Sequence, residues 1–193
     1  MAPRAYRMSK RAEAVEETRR RIVEASLALH SDKGILATSW QDIAERADVA
    51  VGTVYYHFPT FDELIPACSS LGIQQASPPT PEIFDGLRSK SARLDRLVRE
   101  LFAFYERGRD GIEAMLRDMD RVPVLARVAE EQRAYLRALV LGALGDGKAK
   151  DEADLVDALL DFRVWHSLVE RGIRKEAAVK TMTHLLRCAT EKR

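Results

Sequence analysis

The chain has 193 residues, of which 46% are hydrophobic and 32% charged, and its formal net charge is +1. This length allows one medium domain or two small ones with a buried core, and the apolar content excludes a disordered chain. Two cysteines, Cys68 and Cys188, cannot form a disulfide framework for a chain of this size. The start of the chain lacks the apolar core of a signal peptide, and the longest apolar run, Ala138–Leu144, is too short to span a membrane. We therefore expect a cytoplasmic protein with reduced thiols and no membrane contact.

The near-zero net charge hides an uneven distribution of charge along the chain. Residues 1–21 carry seven basic and three acidic side chains, and residues 22–66 carry two basic and seven acidic ones. A basic arm is a reasonable nucleic-acid or membrane-surface contact, and short charge runs of this kind are also common in solvated, frayed termini. The charge pattern by itself leaves both interpretations open.

Apolar residues recur at helical spacing, and no segment alternates with the period of a β-strand. In the first part of the chain the pattern predicts helices over residues 10–31, 38–47 and 51–58, and a fourth helix that begins after Thr60. The segment Thr38-Ser-Trp-Gln41 fits a capping box for the second of these helices. Pro59 closes the third, because proline disfavours helical geometry at the residue before it.

The second part of the chain begins after a turn-rich segment over residues 72–81, which holds three of the seven prolines. An apolar stripe from Leu94 to Tyr105 follows and predicts a helix that Gly108 and Gly111 break. Further helices are predicted over residues 112–119, 123–144, 151–170 and 175–191. The sequence therefore predicts an all-α protein with about nine helices.

The three short helices at the start have the lengths of a helix-turn-helix unit, whose last helix lies in the major groove of DNA. That helix reads Val51-Gly-Thr-Val-Tyr-Tyr-His-Phe58. Helical periodicity places Val54 and Phe58 on the packed side and leaves Tyr55 and Tyr56 to face outward. Phenol and imidazole groups suit phosphate oxygens, and small or apolar residues suit thymine methyl groups. The pattern indicates a DNA-reading helix.

The same region carries a specific resemblance: residues 18–64 resemble the DNA-binding domain of the tetracycline-repressor (TetR) family. The matching segments are Ile22-Val-Glu-Ala-Ser-Leu-Ala-Leu29, Gly34, Thr38-Ser-Trp-Gln-Asp-Ile-Ala44, Val49-Ala-Val-Gly-Thr-Val-Tyr-Tyr-His-Phe-Pro59 and Glu63-Leu64. The resemblance implies an all-α homodimeric transcription regulator. Residues 1–66 would hold the basic arm and a three-helix helix-turn-helix DNA-binding domain, and residues 67–193 a helical effector-binding and dimerisation domain.

Carried over residue by residue, the resemblance implies which side chains touch DNA. Base-edge contacts are expected from Val51, Gly52 and Tyr55. Phosphate contacts are expected from Thr53, Tyr56 and His57 on the same helix, and from Ser39 and Gln41 at the start of the helix before it.

The residues at three positions, Trp40, Ala50 and Phe61, differ from those most common in the family pattern or fall at its packing positions. Trp40 falls at an apolar packing position, so we expect it in the core of the small domain. Ala50 stands where a side-chain cap is common, and Phe61 stands where a lysine usually contacts the DNA backbone. The basic arm offers replacement contacts to phosphates or to the minor groove, as N-terminal arms do in other DNA-binding proteins. The arm residues expected to make them are Arg4, Arg7, Lys10 and Arg11.

Aromatic and methionine side chains of the later helices are candidates for an effector cavity. They are Phe102, Tyr105, Met115, Met119, Phe162, Trp165 and His166. Helical stripes of this kind are also the usual interior of a helical protein, so an ordinary core stays open as the other interpretation. The resemblance further implies a homodimer through the last two helices of each subunit, whose apolar stripes a four-helix bundle could bury.

No metal-ligand spacing links the cysteines to the four histidines, which are His30, His57, His166 and His184. The chain has no Gly-rich phosphate loop and no nucleophile elbow. We therefore expect no metal, no cofactor apart from a small-molecule effector of unknown identity, and no enzymatic activity.

The leading hypothesis is a ligand-responsive repressor that binds a palindromic operator in double-stranded DNA as a dimer, at the nucleoid in the cytoplasm. The alternative is a small-molecule-binding or scaffold protein of the same fold with weak or no DNA binding. Ala50, Phe61 and the acidic charge of residues 22–66 motivate this alternative.

Overall fold

The computed structural model describes the backbone of residues 4–145 and 150–190, and the side chains of residues 10–145 and 150–190. Within these ranges the chain forms nine α-helices and one 3₁₀ helix, with no β-strand, so the predicted all-α class is confirmed. The α-helices are α1 (Arg4–Lys33), α2 (Trp40–Ala47), α3 (Val51–His57), α4 (Phe61–Ala76), α5 (Lys90–Asp118), α6 (Pro123–Leu144), α7 (Lys150–Leu159), α8 (Phe162–Glu170) and α9 (Lys175–Thr190), with the 3₁₀ helix at Pro81–Phe84.

The second helix begins at Trp40, and its N-cap is Ser39, one residue later than the predicted cap Thr38. The Ser39 hydroxyl accepts the Asp42 N–H at 3.1 Å, and the Asp42 carboxylate accepts the Ser39 N–H at 2.7 Å. Thr38 is buried, and its hydroxyl donates to the carbonyl of Gly34 at 2.8 Å. Both residues are good caps by type, so packing around the loop decided which of them caps α2.

The fifth helix corrects the predicted break, because α5 continues through Gly108 and Gly111. Its buried stripe extends beyond the two glycines to Ala114 and Asp118. A glycine inside a helix costs about 1 kcal/mol, which the burial of such a stripe outweighs. The two helices predicted over this region are therefore one.

The prediction of one helix over residues 151–170 is wrong, because the structure has two helices there, α7 and α8. Asp161 caps α8, its carboxylate accepting the N–H of Arg163 at 2.7 Å. The expected total of about nine is reached because this split offsets the merger in α5. Both α7 and α8 contact α9.

The chain divides into two compact units. The first unit contains the residues up to Gln75 together with Asp110–Val128, and the second contains Ala76–Arg109 and the residues from Ala129 onward. The core of the first unit is formed by buried apolar residues of α1, α2, α3 and α4. The boundary between a DNA-binding domain and an effector-binding and dimerisation domain, predicted between residues 66 and 67, stays a prediction. No helix in the part of the chain that the structure describes is long and apolar enough to cross a membrane.

Candidate nucleic-acid interface

The predicted reading helix, α3, has seven residues and is held by its neighbours rather than by its own caps. Its N-cap residue, Ala50, makes no side-chain hydrogen bond. Val54 on its inner face and Phe58 just past its end are buried in the core of the first unit, so the predicted packed side is confirmed. Because an isolated helix this short is unstable in water, tertiary packing holds α3 in shape.

The turn between α2 and α3 is fastened by Arg21 of α1. Its guanidinium donates to the carbonyl oxygens of Ala47 and Asp48, the latter at 2.8 Å. Asp48 has a left-handed φ of 54°, a conformation that ends α2 and lets the chain turn. Arg19 adds a cation–π contact, its guanidinium carbon lying 4.7 Å from the centre of the Phe58 ring. Sequence reasoning counted both arginines with the basic residues and missed this role, because their partners are distant in the chain.

The outward face of α3 consists of small and aromatic residues. Tyr56 is 77% exposed and Tyr55 is 45% exposed. A Cβ placed on Gly52 meets nothing within 4 Å, and this residue is outside the left-handed region, so neither packing nor backbone geometry requires a glycine there. The other predicted contact residues of α3, all half-buried, are Val51, Thr53 and His57. The structure thus brings the six together on two turns of helix, and their individual contacts to DNA stay predictions.

Three aromatic rings, which we call the aromatic row, connect α3, α2 and α4. The rings of Tyr55 and Trp40 have centres 5.0 Å apart and are tilted by 42°, and those of Trp40 and Phe61 are stacked at 4.2 Å and 25°. Trp40 is half-buried and packs against the core of the first unit, in agreement with its expected packing role. At the start of α4, Phe61 therefore offers a ring where the resemblance implies a cation.

The two predicted phosphate contacts at the start of α2, Ser39 and Gln41, are both exposed. The hydroxyl of Ser39 donates to Asp42 at 2.7 Å, and the ammonium of Lys33 lies 2.8 Å from the same carboxylate. Lys33 first, and then Ser39, hold the pKa of Asp42 well below its usual value. A phosphate at the start of α2 would therefore approach a carboxylate that already has a cationic partner.

Arginines from the preceding turn of α1 offset part of the net negative charge of residues 22–66. Arg21 pairs with Asp48 and Arg20 with Glu24, and within the segment Lys33 pairs with Asp42. Exposed pairs of this kind add little to stability, so their main effect here is on local charge. The arm continues α1 as a helix. Of the arm residues expected to contact DNA, Lys10 and Arg11 are exposed on α1, and the side chains of Arg4 and Arg7 lie outside the described residues.

Three buried side chains of the first unit, His30, Cys68 and Asp118, carry polar or ionisable groups. The Nδ1 atom of His30 is 3.4 Å from the sulfur of Cys68, and Asp118 accepts the backbone N–H of Ile35 at 2.7 Å. Burial lowers the pKa of His30 to about 4, although the Asp118 carboxylate opposes this shift, and burial raises the pKa of Cys68 to about 12. A buried neutral thiol is unreactive, which is typical of a structural residue. Among the described residues, no three His, Cys, Asp or Glu side chains are placed to hold a metal ion.

Four of the residues predicted for an effector cavity form what we call the buried ring cluster of the second unit. They are Tyr105, Phe162, Trp165 and His166. The Phe162 ring centre is 5.4 Å from those of Tyr105 and Trp165, and it stacks on His166 at 5.6 Å. The Tyr105 hydroxyl donates to the carbonyl of Leu160 at 2.8 Å. The four rings are therefore in contact, and the Tyr105 hydroxyl is bonded to a backbone carbonyl beside the cluster.

The other three predicted cavity residues lie apart from these ring contacts. Phe102 is fully buried on α5 in the second unit. Met115 and Met119 belong to the first unit, where they pack against a cluster that contains Ile35 and Leu125. A single cavity lined by all seven residues stays a prediction.

Residues 22–68 match the model of the bacterial regulatory proteins of the tetR family. The matched segment contains the whole of α2 and α3, the turn between them and the aromatic row.

Similarity to known proteins extends beyond this segment. The HTH-type transcriptional repressor KstR of Mycolicibacterium smegmatis is 31% identical over 179 residues, which cover 93% of this chain and 74% of that protein. The repressor of the same name from Rhodococcus jostii is 53% identical over 47 residues, or 24% of this chain and 22% of that protein. The crystal structure of the multidrug binding protein EbrR complexed with imidazole is similar with a TM-score of 0.64 and 26% identity, covering 86% of this chain and 93% of that one.

Proposed function

Because the chain belongs to the TetR family of bacterial regulatory proteins, and is therefore a DNA-binding transcriptional regulator and not an enzyme, we propose that it is a ligand-responsive repressor that binds a palindromic operator as a dimer. Repression is supported by the relative in Mycolicibacterium smegmatis, which is named a transcriptional repressor. The partner is double-stranded DNA, and the proposed place of action is the nucleoid in the cytoplasm.

The observation that carries the proposal is the outward face of α3. Two tyrosines and a glycine are exposed there, and no packing contact requires the glycine. A glycine in this position costs helix stability, so its absence of a side chain points to close approach by a partner surface. Base edges in the major groove are such a surface, since a recognition helix contacts them with its outward residues.

The proposed division of roles follows from side-chain chemistry. Val51, Gly52 and Tyr55 meet base edges, where small and apolar groups fit thymine methyl groups and a phenol hydrogen bonds to a base. The hydroxyl, phenol and imidazole groups that hold phosphates are those of Thr53, Tyr56, His57 and Ser39, and the Gln41 amide joins them. Because residues 22–66 have an excess of acidic side chains, affinity depends on placed hydrogen bonds and on the basic arm more than on the charge of the reading domain.

Dimerisation and effector binding complete the proposal. The apolar side chains of Ile173, between α8 and α9, and Leu185, on α9, are exposed, which supports an interface made by these last two helices. A small-molecule effector is supported by EbrR, a multidrug binding protein whose crystal contains imidazole. Effector binding would shift the population of DNA-competent dimers by its differential affinity for the two states. The proposal needs no cofactor beyond the effector.

In vitro selection and fluorescence polarisation test the DNA-binding step. The purified chain selects duplexes from a random library, and the enriched duplex is then titrated at several salt concentrations. We expect an inverted repeat that binds two chains, as sedimentation velocity would show. Tyr55→Ala should relax the base preference, and Tyr56→Phe should weaken binding to all duplexes by about tenfold, because a hydrogen bond to a charged group is lost.

The matched control is Tyr135→Phe on α6. Its half-buried hydroxyl donates to the carbonyl of Pro79 at 2.9 Å, far in sequence from α3, so this variant loses a phenol hydroxyl without touching the proposed interface. DNA affinity should stay at the wild-type value. If no duplex is enriched, the alternative of a helical ligand-binding or scaffold protein with weak or no DNA binding replaces the proposal. If a duplex is enriched but Tyr55→Ala and Tyr56→Phe bind it as the wild type does, the roles assigned to these two tyrosines are wrong.

A further inference from the structure

The aromatic row has a geometry that bears directly on the proposed reading residue Tyr55. Its three rings come from three different helices, and each adjacent pair is within the contact range of aromatic side chains. Exposure decreases along the row, because Tyr55 is exposed whereas Trp40 and Phe61 are half-buried. The row therefore connects a solvent-facing phenol to the packed interior of the first unit.

The inner end of the row is firmly anchored. Phe61 packs against both apolar clusters of the first unit, the large core that contains Ile43 and the smaller cluster that contains Ile65. Trp40 packs against the large core, and its ring stacks on the ring of Phe61 with the two ring centres 4.2 Å apart. Rings held from two sides in this way have little rotamer freedom.

The outer end of the row is a side chain that needs such support. Tyr55 lies on a seven-residue helix with no side-chain cap, its ring contacts that of Trp40, and 45% of the residue is exposed to solvent. A loosely held side chain loses rotamer freedom when it binds, and that entropy weakens binding. A ring already held against Trp40 has lost that freedom before DNA arrives.

We propose that Phe61 and Trp40 are positioning residues for DNA reading, which hold the ring of Tyr55 in the orientation in which it meets one base pair. Phe61 has no charge to offer a phosphate, so its influence on binding passes through Trp40 to Tyr55. The inference rests on the proposed function, because it assigns Tyr55 to a base edge. It predicts that specificity at the base pair under Tyr55 depends on Phe61, a residue of α4 that acts through Trp40.

A double-mutant cycle on the full-length chain tests the proposal, with the duplex selected by the wild type as the probe. The cycle compares the wild type, Phe61→Leu, Tyr55→Ala and the double variant, each confirmed as folded by circular dichroism. We expect Phe61→Leu to weaken binding about fivefold when Tyr55 is present, which is the scale of one released side chain. In the Tyr55→Ala background the same change should alter affinity by less than about 1.5-fold, because independent effects add and coupled ones do not.

Two further variants separate positioning from general destabilisation. Phe61→Tyr keeps the stacked ring and should bind as the wild type does, whereas Leu71→Ala removes a half-buried side chain from the same core outside the row and should leave the base preference intact. If Phe61→Leu does not fold, Phe61→Met replaces it in the cycle, since methionine keeps most of the volume without the ring. The ring of Trp40 shifts the NMR signals of the Tyr55 protons. This shift should decrease in the variant that lacks the Phe61 ring, because Tyr55 is then held less firmly against Trp40.

The outcomes distinguish the positioning role of Phe61 from the base contact of Tyr55. Equal losses for the Phe61 change in both backgrounds, or no loss in either, would overturn the positioning role while leaving DNA reading by Tyr55 in place. Wild-type affinity and base preference in Tyr55→Ala would instead remove the base contact itself, and with it the proposed role of Tyr55.

Discussion

The aromatic row of the first unit and the buried ring cluster of the second contain the same residue types in different surroundings. Each includes one tyrosine, one tryptophan and one phenylalanine, with adjacent ring centres 4.2 to 5.0 Å apart in the row and 5.4 to 5.8 Å apart in the cluster. The two tyrosines differ most, because Tyr55 is 45% exposed and Tyr105 only 4%.

This difference shows that surroundings, and not residue type, decide what an aromatic group does. The hydroxyl of Tyr105 is bonded to a carbonyl inside the protein, and burial, aided by the charges of Asp161 and Asp157, raises its pKa. Its ring and its hydroxyl both stabilise the fold. The ring of Tyr55 contacts Trp40, and the exposed part of its side chain lies at the surface, where a partner can reach it.

The largest effect that separates the two groups should come from removing each tyrosine. Tyr105→Ala should lower the free energy of unfolding by about 3–5 kcal/mol, because a buried ring is lost and a cavity remains. Tyr55→Ala should lower it much less, by about 1 kcal/mol, since this ring is 45% exposed and its removal leaves no buried cavity of that size. Urea denaturation followed by circular dichroism measures both values. Comparable losses for the two variants would break the distinction.

A change of pH should act on the first unit through His30, which lies in its interior. The unfolded chain takes up a proton at this histidine near pH 6.5, whereas the folded chain does so only near pH 4. Between these values the unfolded state holds the extra proton, so stability is complete above pH 6.5 and falls as the pH decreases. We expect a loss of about 2 kcal/mol between pH 7.5 and pH 5.

Tryptophan fluorescence measures this effect, because the chain has two tryptophans and each aromatic group contains one of them. In a Trp165→Phe background the signal comes from Trp40, and urea unfolding at pH 7.5 and pH 5 gives the difference. His30→Gln in the same background is the control and should lose this part of the pH dependence. An unchanged pH dependence in the control would assign the effect to other groups.

The smallest predicted effect on stability concerns Gly52, and its sign is opposite to the effect on binding. Gly52→Ala should raise the free energy of unfolding by about 0.5–1 kcal/mol, because alanine favours the helix and its Cβ meets no neighbour. The same methyl group should weaken operator binding at the crowded DNA surface.

Gly111→Ala is the matched control, since Gly111 is also exposed within a helix and its Cβ position is equally open. It should stabilise the protein without changing DNA affinity, and a parallel loss of affinity would argue against a specific role for Gly52.

Several helix boundaries could not be predicted because apolar periodicity does not register what sets them. Gly108 and Gly111 are helix breakers by local preference, yet a continuous buried stripe carries α5 through both. Asp161 lies among apolar residues with the spacing of one long helix, yet its carboxylate caps α8 by a bond to Arg163. Thr38 and Ser39 are both good caps by type, and the burial of Thr38 distinguishes them. The break expected in α5 is overridden by packing, whereas the two caps are local hydrogen bonds that the spacing of apolar residues does not reveal.

The candidate site was predictable to the extent that it is local. The periodicity of α3 was sufficient to separate Val54 and Phe58 from the outward tyrosines. The partners of Arg21, Trp40 and Phe61 were not predictable, because these side chains meet residues of other helices. A guanidinium that fastens a turn has the same sequence signal as one in a basic arm.

Length, composition and helical periodicity determined that this protein is all-α, and the residues between Gly52 and Pro59 pointed to a reading helix. These properties follow from short-range spacing, which the order of residues alone fixes. The tertiary structure decided which hydroxyl caps α2, that Arg21 fastens the turn, and that Phe61 supports Trp40 and Tyr55. It also placed Met115 and Met119 in the first unit and Tyr105 in the second. Such contacts depend on how helices distant in sequence pack together, and that packing is set by the whole core rather than by any one segment.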